Sequence, residues 1–532
     1  MLRRYFTREF MQRHRLFLLV SAVYALTGVV LLLTVFRWYI NPDATSYFTI
    51  AEKYAHGNIR QAISGYWGPL LSWLLVPSVW LHVDLDIATR LIDLSAGLGL
   101  MAVVYQFLRQ RQVGRTITLT ALIIMACWSL QWALTEAVTP DMLLTFLTVL
   151  FYAVLLRFMA QQSARLGVVL GVIAALMYFS KAFGLFLAVG VMGLVFLWQW
   201  LVAKQYGFRA LCKQWVSVAL ALGILVLPFI GVISVKYHKL TINQAGSYNY
   251  RVLGPEINRS DPQTVSGPWN PPNATAVSVW EEPIALIDAM PSWSPLASRP
   301  YLAHFVRTIG NNLNKSLTFF KDTNIVYSLG AIALIVGCFQ KKRFQREYVV
   351  LTVVSLATVL GYSLVLTEFR YLWAGGVAAL LGLALFATSA ERAGFLSGLQ
   401  GTVVAVLFAV VTIASSVQVM ADVHGTTIQY QQGLHAQIAP LSQHLPAGSR
   451  VISDSFYSIY QCYYLRLHCY SVISPPVTMA GQQAYYEQLK HEGITYLLDM
   501  HSRDLDTNLQ SFKAKYYVQT YELPRLTVYE LR

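Results

Sequence analysis

The sequence carries few charged residues for its length. Asp, Glu, Lys and Arg make up 12% of its 532 residues, which is about half the share expected of a soluble protein. Basic residues exceed acidic ones, 40 against 26, but they fall in short runs between apolar segments. That distribution is typical of a topology signal in a membrane protein and argues against a groove that binds nucleic acid.

Cysteine is also scarce, and five residues are too few for a disulfide framework. Cys127, Cys212 and Cys338 lie in or beside apolar segments, as ordinary buried thiols do. Cys462 and Cys469 lie close together in the polar C-terminal region. A disulfide between them requires that this region faces an oxidising compartment.

The motifs of soluble enzymes are missing. The sequence has no P-loop, no G-x-G-x-x-G, no G-x-S-x-G and no H-E-x-x-H, and its histidines show no metal-ligand spacing. It also lacks a convincing internal repeat of the kind that many transporters have. The apolar segments are therefore the main signal in the sequence.

Apolar segments long enough to cross a bilayer recur along the chain. The predicted spans are 16–36, 87–108, 116–134, 141–157, 166–179, 183–201, 216–234, 325–339, 348–366, 372–389 and 398–418. The first is too long for the apolar part of a signal peptide and lacks a small-residue cleavage site, so we expect it to be retained. The predicted fold class is a polytopic α-helical membrane protein with about eleven transmembrane helices.

Basic residues predict the orientation of these spans, because with the spans above every basic cluster lies on the same side. The clusters are Arg3/Arg4/Arg8/Arg13/Arg15, Arg109/Arg111/Arg115, Arg157/Arg165, Lys204/Arg209/Lys213 and Lys341/Lys342/Arg343/Arg346. That side is predicted to be cytoplasmic, with the N-terminus inside and the C-terminus outside. The apolar segment Tyr66–His82 would break this rule if it crossed, so we expect a juxtamembrane helix there, on the outer face.

Three segments lie on the predicted outer side. Residues 37–82 and 235–324 are loops of a membrane domain, 1–420, and residues 421–532 are predicted to form a soluble α/β domain. In that domain SRVISDSF, CYSVIS and GITYLLDM predict strands, AGQQAYYEQLKHEG a helix, and YYVQTYEL with RLTVYEL a hairpin. Sequons begin at Asn258, Asn273 and Asn314, but such triplets are frequent by chance.

Two acidic residues on the predicted outer side are candidates for chemistry. Asp43 follows the first span and has Tyr47 and Trp67 nearby, so its carboxyl can serve as a general base or simply cap the next helix. Asp141 follows Pro140 at the start of the fourth span, where it can complement the helix dipole. Because both lie on one side of the membrane, they can also share a site for a base or a metal ion.

Basic residues on the same side are candidates for binding phosphate. Lys181 interrupts two short apolar segments, where it must reach the interface, pair with an acid or meet a phosphate. Arg370 can grip phosphate oxygens, or it can form a local pair with Glu368. Arg90 and Asp93, one helical turn apart in the second span, are predicted to pair with each other.

Taken in their order along the chain, these spans, loops and charged residues resemble the GT-C class of integral-membrane glycosyltransferases. NPDATSYFTIAEKYAHGNIRQAISGYWGPLLSWLL is similar to the first outer loop of the protein O-mannosyltransferase and lipid A aminoarabinose transferase group. TPDMLL resembles the second acidic motif of that group, and FSKAFGLFLAV resembles a turn of the aminoarabinose branch. The likeness covers about residues 10–200 well and 340–390 weakly. Gly68 stands where the aminoarabinose branch has Lys, so an aminoarabinose donor or lipid A acceptor is not supported.

The resemblance implies a polyprenyl- or dolichyl-phosphate sugar as donor and an inverting transfer, with no cofactor required and a divalent cation optional. Asp43 would deprotonate an acceptor hydroxyl, and Asp141 would position the acceptor or Asp43. Lys181 and Arg370 would neutralise the departing lipid phosphate. The remaining candidates for the substrate pocket are Tyr47, Tyr66, Trp67, Glu368 and Tyr371.

Two other classes of function remain open at the level of sequence. A transporter or lipid flippase would have repeats and acids near mid-membrane, and a non-catalytic scaffold would tolerate loss of Asp43, Asp141 and Lys181. The leading hypothesis is a glycosyltransferase of a bacterial inner membrane, acting on a glycan, lipid or protein acceptor outside the cytoplasm.

Overall fold

A computed structural model of the chain describes residues 8–136, 138–161, 163–204, 207–257, 268–339, 344–395, 398–503 and 505–532. The sequon at Asn258 and the basic residues Arg3, Arg4, Lys341, Lys342 and Arg343 lie outside the described residues.

Helices dominate the described part of the chain. The first ten are α1 (Arg8–Thr34), α2 (Pro42–Ala55), α3 (Ile59–Ala62), α4 (Pro69–Trp80), α5 (Leu85–Gln110), α6 (Arg115–Thr135), α7 (Asp141–Gln161), α8 (Ala164–Ser180), α9 (Phe183–Leu197, continued by a π-helical turn, Trp198–Val202) and α10 (Phe208–Lys236). The next six are α11 (Ala245–Val252), α12 (Arg299–Asp322), α13 (Ile325–Phe339), α14 (Gln345–Ser363), α15 (Trp373–Arg392) and α16 (Gly398–Val423). Apolar runs become helices because each backbone N–H and C=O in a bilayer needs a partner within its own segment.

Each of the eleven predicted spans coincides with one of these helices. Within the described ranges, eight helices are long and apolar enough to cross a membrane. A ninth span is possible if α12 and α13, which meet at an angle of 108°, are taken together. The chain is therefore an integral membrane protein, while the number eleven stays a prediction.

The spanning helices alternate in direction, so their ends form two opposite faces of the bundle. We call the face where α1 ends and α5 and α7 begin the site end, and the face where α5 ends and α6 begins the basic end. Hydrogen bonds join the loops at the site end, since Trp38 N donates to Asp86 Oδ2 over 2.8 Å and Ser180 Oγ to the Pro140 carbonyl over 3.3 Å. The short helix α4 lies at this end, where we expected a juxtamembrane helix.

Arg90 in α5 helps to hold the site end together. It is fully buried and donates to the carbonyls of Tyr39, Ala133 and Glu136. Its ion pair is with Asp86, at 3.8 Å, instead of the predicted Asp93. Both acids are about one helical turn from Arg90, so spacing in the sequence does not distinguish them.

The C-terminal region forms the predicted α/β unit. After α16, a π-helical stretch (His424–Ile428), α17 (Gln429–Ala436) and α18 (Ile438–Leu441) lead into β1 (Arg450–Ser453), α19 (Ile459–Leu465), β2 (His468–Val472), α20 (Met479–His491), β3 (Tyr496–Asp499), α21 (Thr507–Tyr516), β4 (Tyr517–Leu523) and β5 (Leu526–Leu531). The sheet order is β2-β1-β3-β5-β4, with β1 parallel to β2 and β3, and β5 antiparallel to β3 and β4. The predicted strands and helix are confirmed. The domain boundary at 420/421, which falls within α16, stays a prediction.

This unit packs directly on the first loop at the site end. One apolar cluster joins Tyr47 and Phe48 of α2 to Tyr463 of α19, and Arg466 forms an ion pair with Glu52 at 2.7 Å. Cys462 and Cys469 are bonded as a disulfide between α19 and β2. The sheet is thus fixed beside the helix that carries Asp43.

Candidate active site

A cavity of about 510 Å³ opens at the site end. Its wall brings together seven of the predicted site residues, from three distant stretches of the chain: Asp43, Tyr47, Tyr66, Trp67, Lys181, Arg370 and Tyr371. Glu368 and Asp141 do not line it. Glu368 instead lies 3.7 Å from Lys315, in a pair whose side chains are nearly half exposed.

Asp43 lies in the first turn of α2, and the structure separates its two predicted roles. The residue that caps α2 is Asn41, whose side chain accepts a hydrogen bond from Ala44 N over 2.9 Å. Because Asn41 takes the capping role, the Asp43 carboxyl is left for the cavity. Its Oδ1 accepts a hydrogen bond of 2.9 Å from the indole Nε1 of Trp280.

Burial raises the pKa of Asp43 above its ordinary value of 3.8. The positive charges of Arg370 and Lys181 and the hydrogen bond from Trp280 act in the opposite direction. A carboxyl whose affinity for protons is raised is better suited to accept one from a hydroxyl group.

Asp141 is the buried counter-ion of both cavity cations. Its side chain is 1% exposed, and its Oδ1 lies 2.6 Å from Lys181 Nζ while its Oδ2 lies 3.3 Å from Arg370 Nε. Thr139 Oγ1 donates to the same Oδ2 over 2.8 Å. A carboxylate held this way orients two cations and does not itself face the cavity.

Glu136 holds the other side of the Arg370 guanidinium, with its Oε1 3.1 Å from Arg370 Nη1. Arg370 therefore pairs with Glu136 and Asp141, and not with its sequence neighbour Glu368. Burial raises the pKa of Glu136 above its ordinary value of 4.5, against the effect of Arg370. Lys181 Nζ also lies 4.1 Å from the centre of the Tyr371 ring, a distance at which the ring attracts the ammonium group.

Gly68 explains how Lys181 reaches the cavity. A Cβ atom at Gly68 would lie 2.3 Å from the Ser180 carbonyl oxygen and 2.6 Å from that of Phe179. Only glycine lets the start of α4 approach the end of α8 this closely. Lys181 is the next residue and ends α8, so its position depends on that contact.

Trp280 comes from the second predicted outer loop, residues 235–324, which we call the long loop, and a group of ion pairs anchors its segment. The neighbouring Glu281 is buried and bonds to Lys53 and Thr49 of α2, while Glu282 Oε2 lies 2.5 Å from Lys236 Nζ. Burial lowers the pKa of Lys53, against the effect of Glu281.

The sheet and the first loop hold the same segment from two further sides. Cys469 N donates to the Val277 carbonyl over 2.7 Å, and Trp67 Nε1 donates to the Trp280 carbonyl over 3.1 Å.

Comparisons with known proteins bear on the fold of the chain. A family model described as dolichyl-phosphate-mannose-protein mannosyltransferase matches residues 67–231. ArnT of Cupriavidus metallidurans, solved with bound undecaprenyl phosphate, has a TM-score of 0.57 at 15% identity over 98% of each chain. The apo oligosaccharyltransferase of Archaeoglobus fulgidus gives 0.55 at 13% identity, over 91% of this chain and 69% of that one. The arabinofuranosyltransferase AftD from mycobacteria gives 0.54 at 12% identity, over 97% of this chain and 40% of that one.

The chain has the GT-C fold. A search of curated proteins gives no match. The family model and the three structures all carry the names of glycosyltransferases.

Sequence reasoning missed the contacts of Trp280 and Glu136 in this site. The loop that carries Trp280 is rich in Trp, Pro and Asn, but its composition could not single out one indole. Among the described residues, no group of three or more His, Cys, Asp or Glu side chains is arranged to hold a metal ion.

Proposed function

We infer that this protein transfers one sugar from a polyprenyl-phosphate or dolichyl-phosphate donor to an acceptor hydroxyl on the outer side of the membrane. The observation that carries the proposal is the cavity at the site end, in which one carboxyl, Asp43, faces the same space as two cations, Lys181 and Arg370. Direct displacement at an anomeric carbon requires a base beside the nucleophile and positive charge beside the leaving phosphate.

The transfer proceeds in one displacement. The acceptor oxygen forms a bond to the anomeric carbon as Asp43 accepts the hydroxyl proton. The bond between the anomeric carbon and the phosphate oxygen breaks, and the electron pair leaves with the lipid phosphate. Lys181 and Arg370 stabilise the negative charge that develops there. The configuration at the anomeric carbon is inverted because the attack and the departure take place on opposite faces.

Asp141 acts through the cations in this proposal. Its buried carboxylate holds Lys181 and Arg370 by ion pairs, so it is a positioning residue for the phosphate site and not one that contacts the acceptor. The aromatic rings of Tyr47, Tyr66 and Tyr371 complete the cavity wall, where they exclude water and contact the sugar or the first isoprene unit.

The lipid donor is supported by the shape of the molecule around the cavity. Phe183, Phe186 and Leu364 extend the wall from the polar groups toward the membrane-spanning helices. ArnT, which shares the fold, was solved with undecaprenyl phosphate bound. A chain with this fold in a bacterial inner membrane, with the site end and the C-terminal sheet outside, would meet such a donor in the outer leaflet.

Transfer of radiolabelled sugar from polyprenyl-phosphate donors in proteoliposomes tests the proposal. We expect Asp43→Asn, which is isosteric but cannot accept the proton, to lower kcat by about 10²–10⁴-fold. Asp288→Asn, an exposed acid of the long loop outside the cavity, serves as the matched control and should retain activity. If Asp43→Asn transferred sugar at the wild-type rate, Asp43 would not be the base. If the wild-type protein transferred sugar from none of the donors, the transporter hypothesis would be favoured.

A further inference from the structure

A second cavity, of about 430 Å³, lies at the basic end of the bundle. The described start of α1, the last turns of α5 and the first turns of α6 form its wall. Four arginines line it, Arg13, Arg15, Arg109 and Arg115, and apolar side chains such as Leu119 complete the wall. It is separated from the Asp43 cavity by the length of α5, whose 26 residues rise about 39 Å.

The arginines of this cavity have no carboxylate partners within the part of the chain that the structure describes. Arg109 Nη1 lies 3.1 Å from His14 Nε2, and the Tyr105 hydroxyl lies 2.9 Å from His14 Nδ1. The neighbour of the Arg109 guanidinium is therefore an imidazole and not an acid. Arg111, two residues later, does pair with an acid, Glu347, at 3.1 Å.

Several guanidinium groups around one cavity, none of them in an ion pair with a described carboxylate, create a positive potential that favours phosphate. Membrane proteins collect basic residues on one side of the bilayer, and this tendency explains why arginines occur at the basic end. The tendency does not explain why four of them line one open cavity while the neighbouring Arg111 is paired with an acid.

An apolar stripe on α1 continues from the cavity along the bundle. Arg15, which lines the cavity, is followed at helical spacing by Leu19, Val23 and Leu26 on the same face. These three side chains are 61%, 58% and 70% exposed. An acyl chain that leaves the cavity can lie against this stripe, whereas a water-soluble phosphate ester has no apolar chain to place there.

We propose that the cavity at the basic end binds the phosphate of an anionic phospholipid, with an acyl chain of that lipid along the α1 stripe. The separation of about 39 Å from the site end places the arginines at the level of the headgroups of the other leaflet. The site is distinct from the sugar-transfer site and does not depend on that function.

Lipid binding to the full-length protein tests this proposal. The protein in neutral detergent is titrated with phosphatidylglycerol or with phosphatidylcholine of the same acyl chains, and bound lipid is counted by native mass spectrometry. We expect phosphatidylglycerol to bind more tightly. Arg109→Gln/Arg115→Gln should raise its apparent Kd roughly 30-fold, since about two arginine–phosphate contacts are lost. Arg109→Lys/Arg115→Lys, which keeps the charge, should retain most of the affinity.

The matched control is Arg165→Gln/Arg209→Gln, which removes the same charge from exposed positions at the same end but outside the cavity. Equal weakening by this control, or equal binding of the two lipids by the wild type, would overturn the proposal. Competition by inorganic phosphate at millimolar concentration would show a site for free phosphate and overturn the lipid assignment. The wild-type comparison of the two lipids decides the question even if the glutamine variant does not fold.

Discussion

At the site end, Arg370 lies between two carboxylates, those of Asp141 and Glu136. At the basic end, Arg109 lies beside the imidazole of His14. Both guanidinium groups line a cavity of several hundred Å³. The first is fixed in place by two carboxylates, whereas the second has no carboxylate partner among the described residues. We infer that this difference in partners separates the two proposed sites. Cations fixed by carboxylates suit the stabilisation of a transition state, and cations without carboxylate partners suit the binding of an anionic ligand.

Among the changes that test this comparison of the two ends, the largest effect is expected at Arg370. Arg370→Gln removes a donor from the leaving phosphate, and we expect kcat to fall by about 10²–10³-fold, as for loss of one preorganised oxyanion donor. Steady-state transfer kinetics in proteoliposomes measure this. Arg165→Gln at the basic end is the matched control and should leave kcat unchanged. An unchanged kcat in Arg370→Gln would show that Arg370, like Arg165, is not needed for the transfer.

The next effect concerns Gly68, whose added Cβ would meet the carbonyl oxygens of Phe179 and Ser180. Since those are backbone atoms, the end of α8 must move and take Lys181 with it. We expect Gly68→Ala to lower kcat by about 10²-fold, the cost of misplacing a group by about 1 Å. Gly190→Ala in α9, where a Cβ meets nothing within 4 Å, should behave as wild type. Equal activity of the two variants would show that Lys181 does not need its present position.

A smaller effect, and one specific to the base, is expected from Trp280→Phe. The indole N–H stabilises the ionised form of Asp43, so its loss raises the pKa of that carboxyl further. Because the base must be deprotonated, the acid limb of kcat/KM should move to higher pH, by about one unit. Trp293→Phe is the control, since this indole donates to the Tyr250 carbonyl in the same loop. If the acid limb of Trp280→Phe lay at the same pH as that of the wild type, Trp280 would not affect the pKa of the base.

The smallest effect is expected at Glu368, which sequence reasoning placed in the pocket and the structure places outside it. Its partner is Lys315 at 3.7 Å, and both side chains are more than 40% exposed. Such pairs are worth about 0–1 kcal/mol, so Glu368→Gln should change neither kcat nor thermal unfolding measurably. A loss as large as that of Arg370→Gln would bring Glu368 back into the site.

The sequence allowed much of the fold to be predicted. All eleven apolar runs correspond to helices, and the strands of the C-terminal sheet lie where alternation and turns indicated. Asp43, Lys181 and Arg370 also line one cavity, while their roles there stay predictions. Each of these features is local or follows from which side of the membrane a loop occupies.

The partners of the charged residues were harder to predict. Trp280 donates to Asp43 across 237 positions, and Glu136 reaches Arg370 across 234. The nearest acid in sequence misled in two cases, since Arg90 pairs with Asp86 in place of Asp93, and Arg370 does not pair with Glu368. Distance along the sequence does not predict which acid pairs with an arginine, because burial and the direction of each side chain decide the pairing.

The sequence by itself determined that this chain spans a membrane, which end of each span is basic, and that a small sheet follows the last span. These features follow from the cost of leaving backbone groups unpaired in hydrocarbon and from the alternation of apolar residues in strands. Only the tertiary structure decided that Asn41 caps α2 and leaves Asp43 for the cavity, that Asp141 is buried beneath two cations, and that a distant loop brings Trp280 to the base. The physical reason is that a buried charge is tolerated only where partners from other segments meet it.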